Sequence, residues 1–172
     1  TGELERRVEF DDDGYADNSA VVFDQTFLDL VAPVAADAAG FDRPDVVLTA
    51  ATDGITLGAA MASHFDARVV YAKQSKETAV EEFIESRQRV SPGIELTYYL
   101  PARALSPADT VLIVDDLIRS GETQALLLDV AEQAGATVAG VFALIAVGEA
   151  GLDRARGLTD APVDALSTFD PE

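Results

Sequence analysis

The chain has 172 residues, 48% of them hydrophobic and none of them cysteine. That length fits one domain with a sizeable core, and the missing cysteines exclude disulfides and thiolate metal sites. Thirty-one acidic residues face twelve basic ones, for a net charge of −19. Without a basic patch to neutralise phosphates, a strong nucleic-acid binder is disfavoured.

Of the twelve basic residues only Lys73 and Lys76 are lysines. Acid excess with scarce lysine is the pattern of a protein from a salt-loving organism, whose self-repulsion high salt screens. An acidic protein of ordinary habitat is the alternative. The polar, acidic opening TGELERRVEFDDDGYADNSA does not read as a secretory signal. No apolar run approaches the roughly 18 residues of a membrane span. A cytoplasmic protein is the expectation. The chain opens on Thr1, which leaves a processed or trimmed start open.

In chain order, Phe27 to Ala39 reads as a helix stopped by Gly40, with Leu28, Val31, Ala32 and Ala35 on one face. DVVLT, 45–49, is a short buried strand, and 55–64 a helix after the Thr52-Asp53-Gly54 turn. RVVYA, 68–72, is a second strand, and 96–100 is half of a hairpin. A strand at 110–114 precedes a helix at 123–133 closed by Gly135, and VAGVFALIAV, 138–147, is a last buried strand. Apolar strands alternating with helices indicate one α/β domain, a parallel twisted sheet with helices on both faces.

The most informative stretch is VLIVDDLIRSGET, Val111 to Thr123. Asp115 and Asp116 follow four apolar residues, at the sheet edge where ligands bind. Two buried carboxylates side by side require partners. A vicinal diol supplies them, one hydroxyl to each. The turn that follows opens a helix, whose free N–H groups favour an anion. Ser120 and Thr123 add hydroxyl donors there, and Gly121 permits close approach. Diol acceptors before a phosphate cradle describe a ribose 5-phosphate site. A generic strand–turn–helix is the plainer alternative.

The same stretch resembles the thirteen-residue phosphoribosyl pyrophosphate (PRPP) motif of type I phosphoribosyltransferases, and the likeness extends over about 21–153. The resemblance implies that Asp115 and Asp116 hold the ribose hydroxyls and stabilise positive charge on the ring. Arg119, Ser120, Gly121, Glu122 and Thr123 would cradle the 5-phosphate. The loop containing Ala51, Thr52, Asp53 and Gly54 falls where the family binds pyrophosphate. Lys73 and Lys76 fall where purine members carry pyrophosphate-binding basic residues, unless both are merely solvated. Residues 74–100 match a mobile loop that closes over the site, from which Arg87 and Arg89 could reach pyrophosphate. The implied reaction displaces pyrophosphate from PRPP with a ring nitrogen of a base, aided by Mg²⁺ held mainly by substrate and water. The implied assembly is a homodimer. His64, at a helix end, reads as a surface residue.

VVFDQTFLDL is similar to the N-terminal hood of adenine phosphoribosyltransferases, so residues 1–25 are expected to form an extension and hood. Phe23 is the candidate to stack on the base, with a core Phe as the alternative. TDGITLGAAMASHF followed by RVVYAK resembles adenine and xanthine members. A purine is implied, adenine ahead of xanthine or hypoxanthine/guanine, and Arg119, standing where hypoxanthine–guanine enzymes carry an acid, counts against that last branch. Asp53 replaces an expected Arg, and Glu122 a small residue. Both add negative charge near phosphates, so a non-catalytic PRPP- or nucleotide-sensing module is the second reading.

Overall fold

The structure, a computed structural model, describes residues 2–170. Thr1, Pro171 and Glu172, the ends of the expected single domain, lie outside the described residues.

The N-terminal segment runs through α1 (Gly2–Glu5), β1 (Glu9–Phe10), β2 (Ala16–Asp17) and α2 (Ser19–Val22) into α3 (Gln25–Ala39). Asp24 caps α3, accepting from the Phe27 amide at 3.0 Å, and Gly40 ends it in the left-handed conformation. There follow β3 (Val46–Ala50), α4 (Gly54–Phe65), β4 (Arg68–Ala72), a hairpin of β5 (Phe83–Ser91) and β6 (Ile94–Pro101), and β7 (Thr110–Ile118). α5 (Glu122–Gln133), β8 (Thr137–Val147), α6 (Ala150–Arg156) and β9 (Val163–Phe169) complete the chain.

The central sheet has five parallel strands in the order β4-β3-β7-β8-β9. The α/β fold expected from the apolar strands is therefore present. β9 was not foreseen. It is an edge strand carrying Asp164, Ser167 and Thr168, so it lacks the continuous apolar run of its neighbours. No helix among the described residues is long and apolar enough to cross a membrane.

Each face of the sheet carries its own core. On one side Leu112, Val114, Phe142 and Leu144 pack on α3 and α4 through Leu28, Leu57 and Met61. Leu4, Val8 and Val21 join that core, so the N-terminal segment belongs to the domain. Burying a Leu or Val side chain contributes about 1.5–3 kcal/mol. On the other side Val111 and Ile113 pack with Leu126, Leu127 and Val130 of α5 and with Tyr98 and Leu100 of the hairpin.

The hairpin occupies most of the segment expected as a mobile loop. Ser86 is buried within it, and Gln133 of α5 donates to the Glu85 carbonyl at 3.0 Å. These contacts fasten its base to the domain and leave its tip, with exposed Ile94, in solvent.

Candidate active site

The strand order changes direction between β3 and β7, since the chain leaves β3 toward β4 on one side and returns to β7 on the other. Loops beyond the carboxyl ends of two such strands part, leaving the crevice where doubly wound sheets bind ligands. A cleft of about 240 Å³ lies there. It is lined by Ala50 to Gly54 from the end of β3, by Asp115 to Leu117 from β7, and by Thr123 and Tyr98. A larger hollow of about 660 Å³ lies along α5 beside Leu158, toward the amino ends of the strands. Its charged lining residues are Asp129 and Glu132, so it would repel a phosphate. The smaller cleft has the chemistry.

Asp115 and Asp116 do not end their strand: β7 continues through Ile118. Consecutive strand residues face opposite sides of a sheet. Val111 and Ile113 belong to the α5 core, and Leu112 and Val114 to the α4 core. The same alternation sends Asp115 toward α5 and Asp116 toward the N-terminal segment. Each finds an amide there. Gln124 of α5 donates to Asp115 Oδ2 at 2.6 Å, and the Asp116 amide donates to Asp115 Oδ1 at 3.0 Å. Asn18 donates from Nδ2 to Asp116 Oδ2. The partners that two buried carboxylates demand are thus supplied first by the protein. Burial pushes the Asp115 carboxyl well above the usual carboxylate range, and the neighbouring Asp116 charge pushes it further.

The β3–α4 turn closes over this pair. A Cβ at Gly54 would lie 2.2 Å from Thr49 Oγ1 and 3.1 Å from Asp115 Oδ1. Glycine there lets α4 begin against the aspartate. The Thr49 hydroxyl is fully buried with no hydrogen-bond partner.

Arg119 to Gly121 link β7 to α5. Gly121 has φ 74°, and a Cβ on it would meet the Gly151 carbonyl at 2.7 Å. The turn is thereby seated on α6. Ser120 donates its hydroxyl to the Glu122 carboxylate, and Arg154 Nη1 of α6 approaches Glu122 at 3.8 Å. The Arg119 guanidinium lies 4.5 Å from the centroid of the Tyr15 ring.

The structure gathers Ala51, Thr52, Asp53, Gly54, Asp115, Asp116 and Thr123 around one cleft, with Arg119, Ser120, Gly121 and Glu122 in the adjoining turn. Lys73, Lys76, Arg87 and Phe23 do not line it. Lys73 donates to Glu77 at 2.6 Å, which holds the Glu77 carboxyl below its usual range. Lys76 sits 3.3 Å from Glu85 and 4.8 Å from the Tyr99 ring centroid. Arg87 pairs with Glu85 at 2.6 Å and lies 3.7 Å from Glu95. Exposed or half-exposed pairs of this kind are weak and salt-screened, so their cations stay available to a stronger anion. Arg89 stands opposite Glu95 in the hairpin register. Phe23 is 81% exposed, which removes the core alternative for it. His64 packs against Phe65 at the end of α4, as expected of a surface residue there.

Sequence reasoning missed Asn18, Gln124 and Tyr15. Gln124 left a signal: it falls on the α5 stripe of Leu127, Leu128 and Ala131, where an apolar residue belongs. Asn18 left none, being 98 positions from its partner.

A family model described as phosphoribosyl transferase domain matches residues 24–160. The chain belongs to this family. Xanthine phosphoribosyltransferases of Staphylococcus aureus are 32% identical to the domain over 104 residues, 55% of this chain and 50% of theirs. The chain thus spans about half the length of the curated relatives it matches. The phosphoribosyl transferase domain also superposes on the adenine phosphoribosyltransferase of Thermoanaerobacter pseudethanolicus with a TM-score of 0.84 at 18% identity, covering 98% of this chain and 99% of that one. The Rhodothermus marinus adenine phosphoribosyltransferase gives a TM-score of 0.83 at 21% identity over 98% and 97% of the two chains. At these identities the structural likeness establishes the fold.

Proposed function

We propose that the domain transfers the 5-phosphoribosyl group of PRPP to a ring nitrogen of a purine base and releases pyrophosphate. The observation that carries this reading is the Asp115–Asp116 pair at the strand-order reversal, between a glycine-started helix and a hydroxyl-bearing turn. Asp115 and Asp116 would take the ribose hydroxyls, and Arg119 to Thr123 the 5-phosphate. The turn from Ala51 to Gly54 would face the pyrophosphate, which Lys73, Lys76 and Arg87 would approach if the hairpin closed as a lid. Adenine is the favoured base, with xanthine or hypoxanthine/guanine next. The fold likeness to adenine enzymes supports the first, and the identity to xanthine enzymes supports the second. Phe23, exposed at the end of α2, would stack on it.

Asp53, Asp115 and Asp116 bring hard oxygen donors to one cleft, the kind Mg²⁺ takes directly or through water. These side chains would meet an ion carried largely by the substrate and by water. When bound, it would neutralise the departing pyrophosphate. The reading carries with it a cytoplasmic homodimer serving purine salvage.

The second reading is a PRPP- or nucleotide-sensing module that does not turn over. Glu122 favours it, because its carboxylate already holds the Ser120 hydroxyl in the phosphate turn. A turnover assay with PRPP, Mg²⁺ and adenine, hypoxanthine, guanine, xanthine, uracil or orotate, at low and multimolar KCl, separates the two. Nucleotide formed from one purine is the expected result. Binding of PRPP without product from any base would favour the sensor instead.

A further inference from the structure

Asn18 immediately precedes α2, at φ −109° and ψ 12°, and makes no side-chain cap to that helix. Asparagine in this place ordinarily accepts from the first turn's amides. Here its amide is turned instead into the sheet, where it meets Asp116 with both side chains largely buried. Three residues earlier, Tyr15 is held by a self-contained turn. Asp11 Oδ1 accepts from the amides of Asp13 at 3.0 Å and Tyr15 at 2.7 Å, and the Asp11 amide donates to the Tyr15 carbonyl at 3.0 Å. The Tyr15 ring, 64% exposed, covers the Arg119 guanidinium at 4.5 Å.

Arg119, like Arg89 and Arg103, lacks an acidic partner among the described residues, and it alone of the three lies in the turn after β7. Acidic residues outnumber basic ones 31 to 12 in this chain, and yet no carboxylate pairs with Arg119 among the described residues. An aromatic face holds the guanidinium in place without neutralising it. Its donors are left for an anion.

The two contacts of one short arm therefore fall on the two parts of the PRPP motif, one on a carboxylate of the aspartate pair and one on the turn that follows it. We propose that residues 11–18 form a clasp on the ribose 5-phosphate site, in which Asn18 positions Asp116 and Tyr15 positions Arg119. The ligand class is any sugar with a free vicinal diol and a 5-phosphate. This rests on the phosphoribosyl reading of the site but concerns binding, so it is tested without turnover.

The experiment is calorimetric titration of ribose 5-phosphate and of PRPP with Mg²⁺ into wild type, Asn18→Ser, Tyr15→Ala and Tyr15→Phe, with a melting curve for each. Serine can cap α2 but is too short to reach Asp116. Asn18→Ser should weaken ribose 5-phosphate binding about 10-fold or more, with a folded protein whose Tm falls modestly, since the new cap on α2 offsets part of the cost of leaving Asp116 unpaired. Tyr15→Ala should weaken it about 3-fold, and Tyr15→Phe should restore it, because only the ring face is used. Folded Asn18→Ser and Tyr15→Ala proteins that bind like wild type would show that the contacts merely tether the arm, and the clasp would be discarded. Wild type that binds ribose 5-phosphate yet transfers it to no base would remove the transferase reading and leave the clasp to its own binding result. Wild type that binds neither ligand overturns the clasp.

Discussion

Asp115 is the most completely enclosed acid at the site, and its protonation couples ligand chemistry to stability. Its folded carboxyl titrates well above the unfolded value of about 3.9, because of burial first and the Asp116 charge second. A folded state with a raised acid pKa binds more protons than the unfolded state between the two values. The stability it contributes is present below about pH 4 and is lost as pH rises toward the folded value. Asp115→Asn removes that titration, keeps an oxygen for the Gln124 amide, and gives up the charge that a diol would meet. The variant should therefore gain Tm relative to wild type as pH rises from about 4 to 8, while its affinity for PRPP falls on the order of 10–100-fold. Thermal melts across that range decide the first claim. Parallel wild-type and variant pH profiles would refute it. Partly exposed acids whose pKa values are lowered by arginine or lysine partners, such as Asp24 and Glu77, cancel in the difference.

At the scale of elements, the turn between β7 and α5 owes its shape to α6 rather than to α5 alone. Gly121 rests on the Gly151 carbonyl, and a Cβ at Gly151 would lie 2.6 Å from the Arg119 carbonyl and 2.8 Å from Ile118 Cγ1. Neither neighbour is the free end of a flexible side chain. Gly151→Ala should push α6 away from the turn, cost about 1–3 kcal/mol of stability, and raise KM for PRPP although residue 151 lies outside the cleft. An unchanged KM in a destabilised variant would show that the turn holds its shape without α6. The same scale explains what the sequence left illegible. The strands and helices that carry apolar periodicity lie within a residue or two of where the pattern puts them: β4 runs from Arg68 to Ala72 as expected, and α5 begins one residue early at Glu122. β7 runs four residues past its expected end, because its parallel pairing with β8 carries Leu117 and Ile118 along. Local polarity had marked the aspartates as a terminus. The hairpin showed only its second strand, since β5 reads FIESRQRVS, with charge on alternate positions and little apolar signal.

Over the whole molecule, the net charge of −19 makes self-repulsion, and with it stability, depend on salt. Most ion pairs among the described residues involve exposed side chains, and the acids left over repel one another. Salt shortens the reach of that repulsion from about 10 Å at 0.1 M to about 3 Å at 1 M. Tm should therefore rise between about 0.1 M and 2 M KCl. A melting temperature that falls or stays level over that range would contradict the view of this surface as one suited to high salt.

The sequence by itself determined the α/β class, the buried strands, and the composition and place of the aspartate–turn motif, because each depends on residues within a few positions of one another. It also contained Gln124 on an apolar helix stripe, legible in hindsight. Only the tertiary structure decided which carboxylate faces which layer and which amide meets it. It set the β3–α4 turn against Asp115 in one cleft, as the resemblance implied, and it left Lys73, Lys76 and Arg87 paired with acids outside that cleft. These facts depend on strand order and pleat, which join residues such as Asn18 and Asp116 across 98 positions. No local periodicity encodes such a pairing.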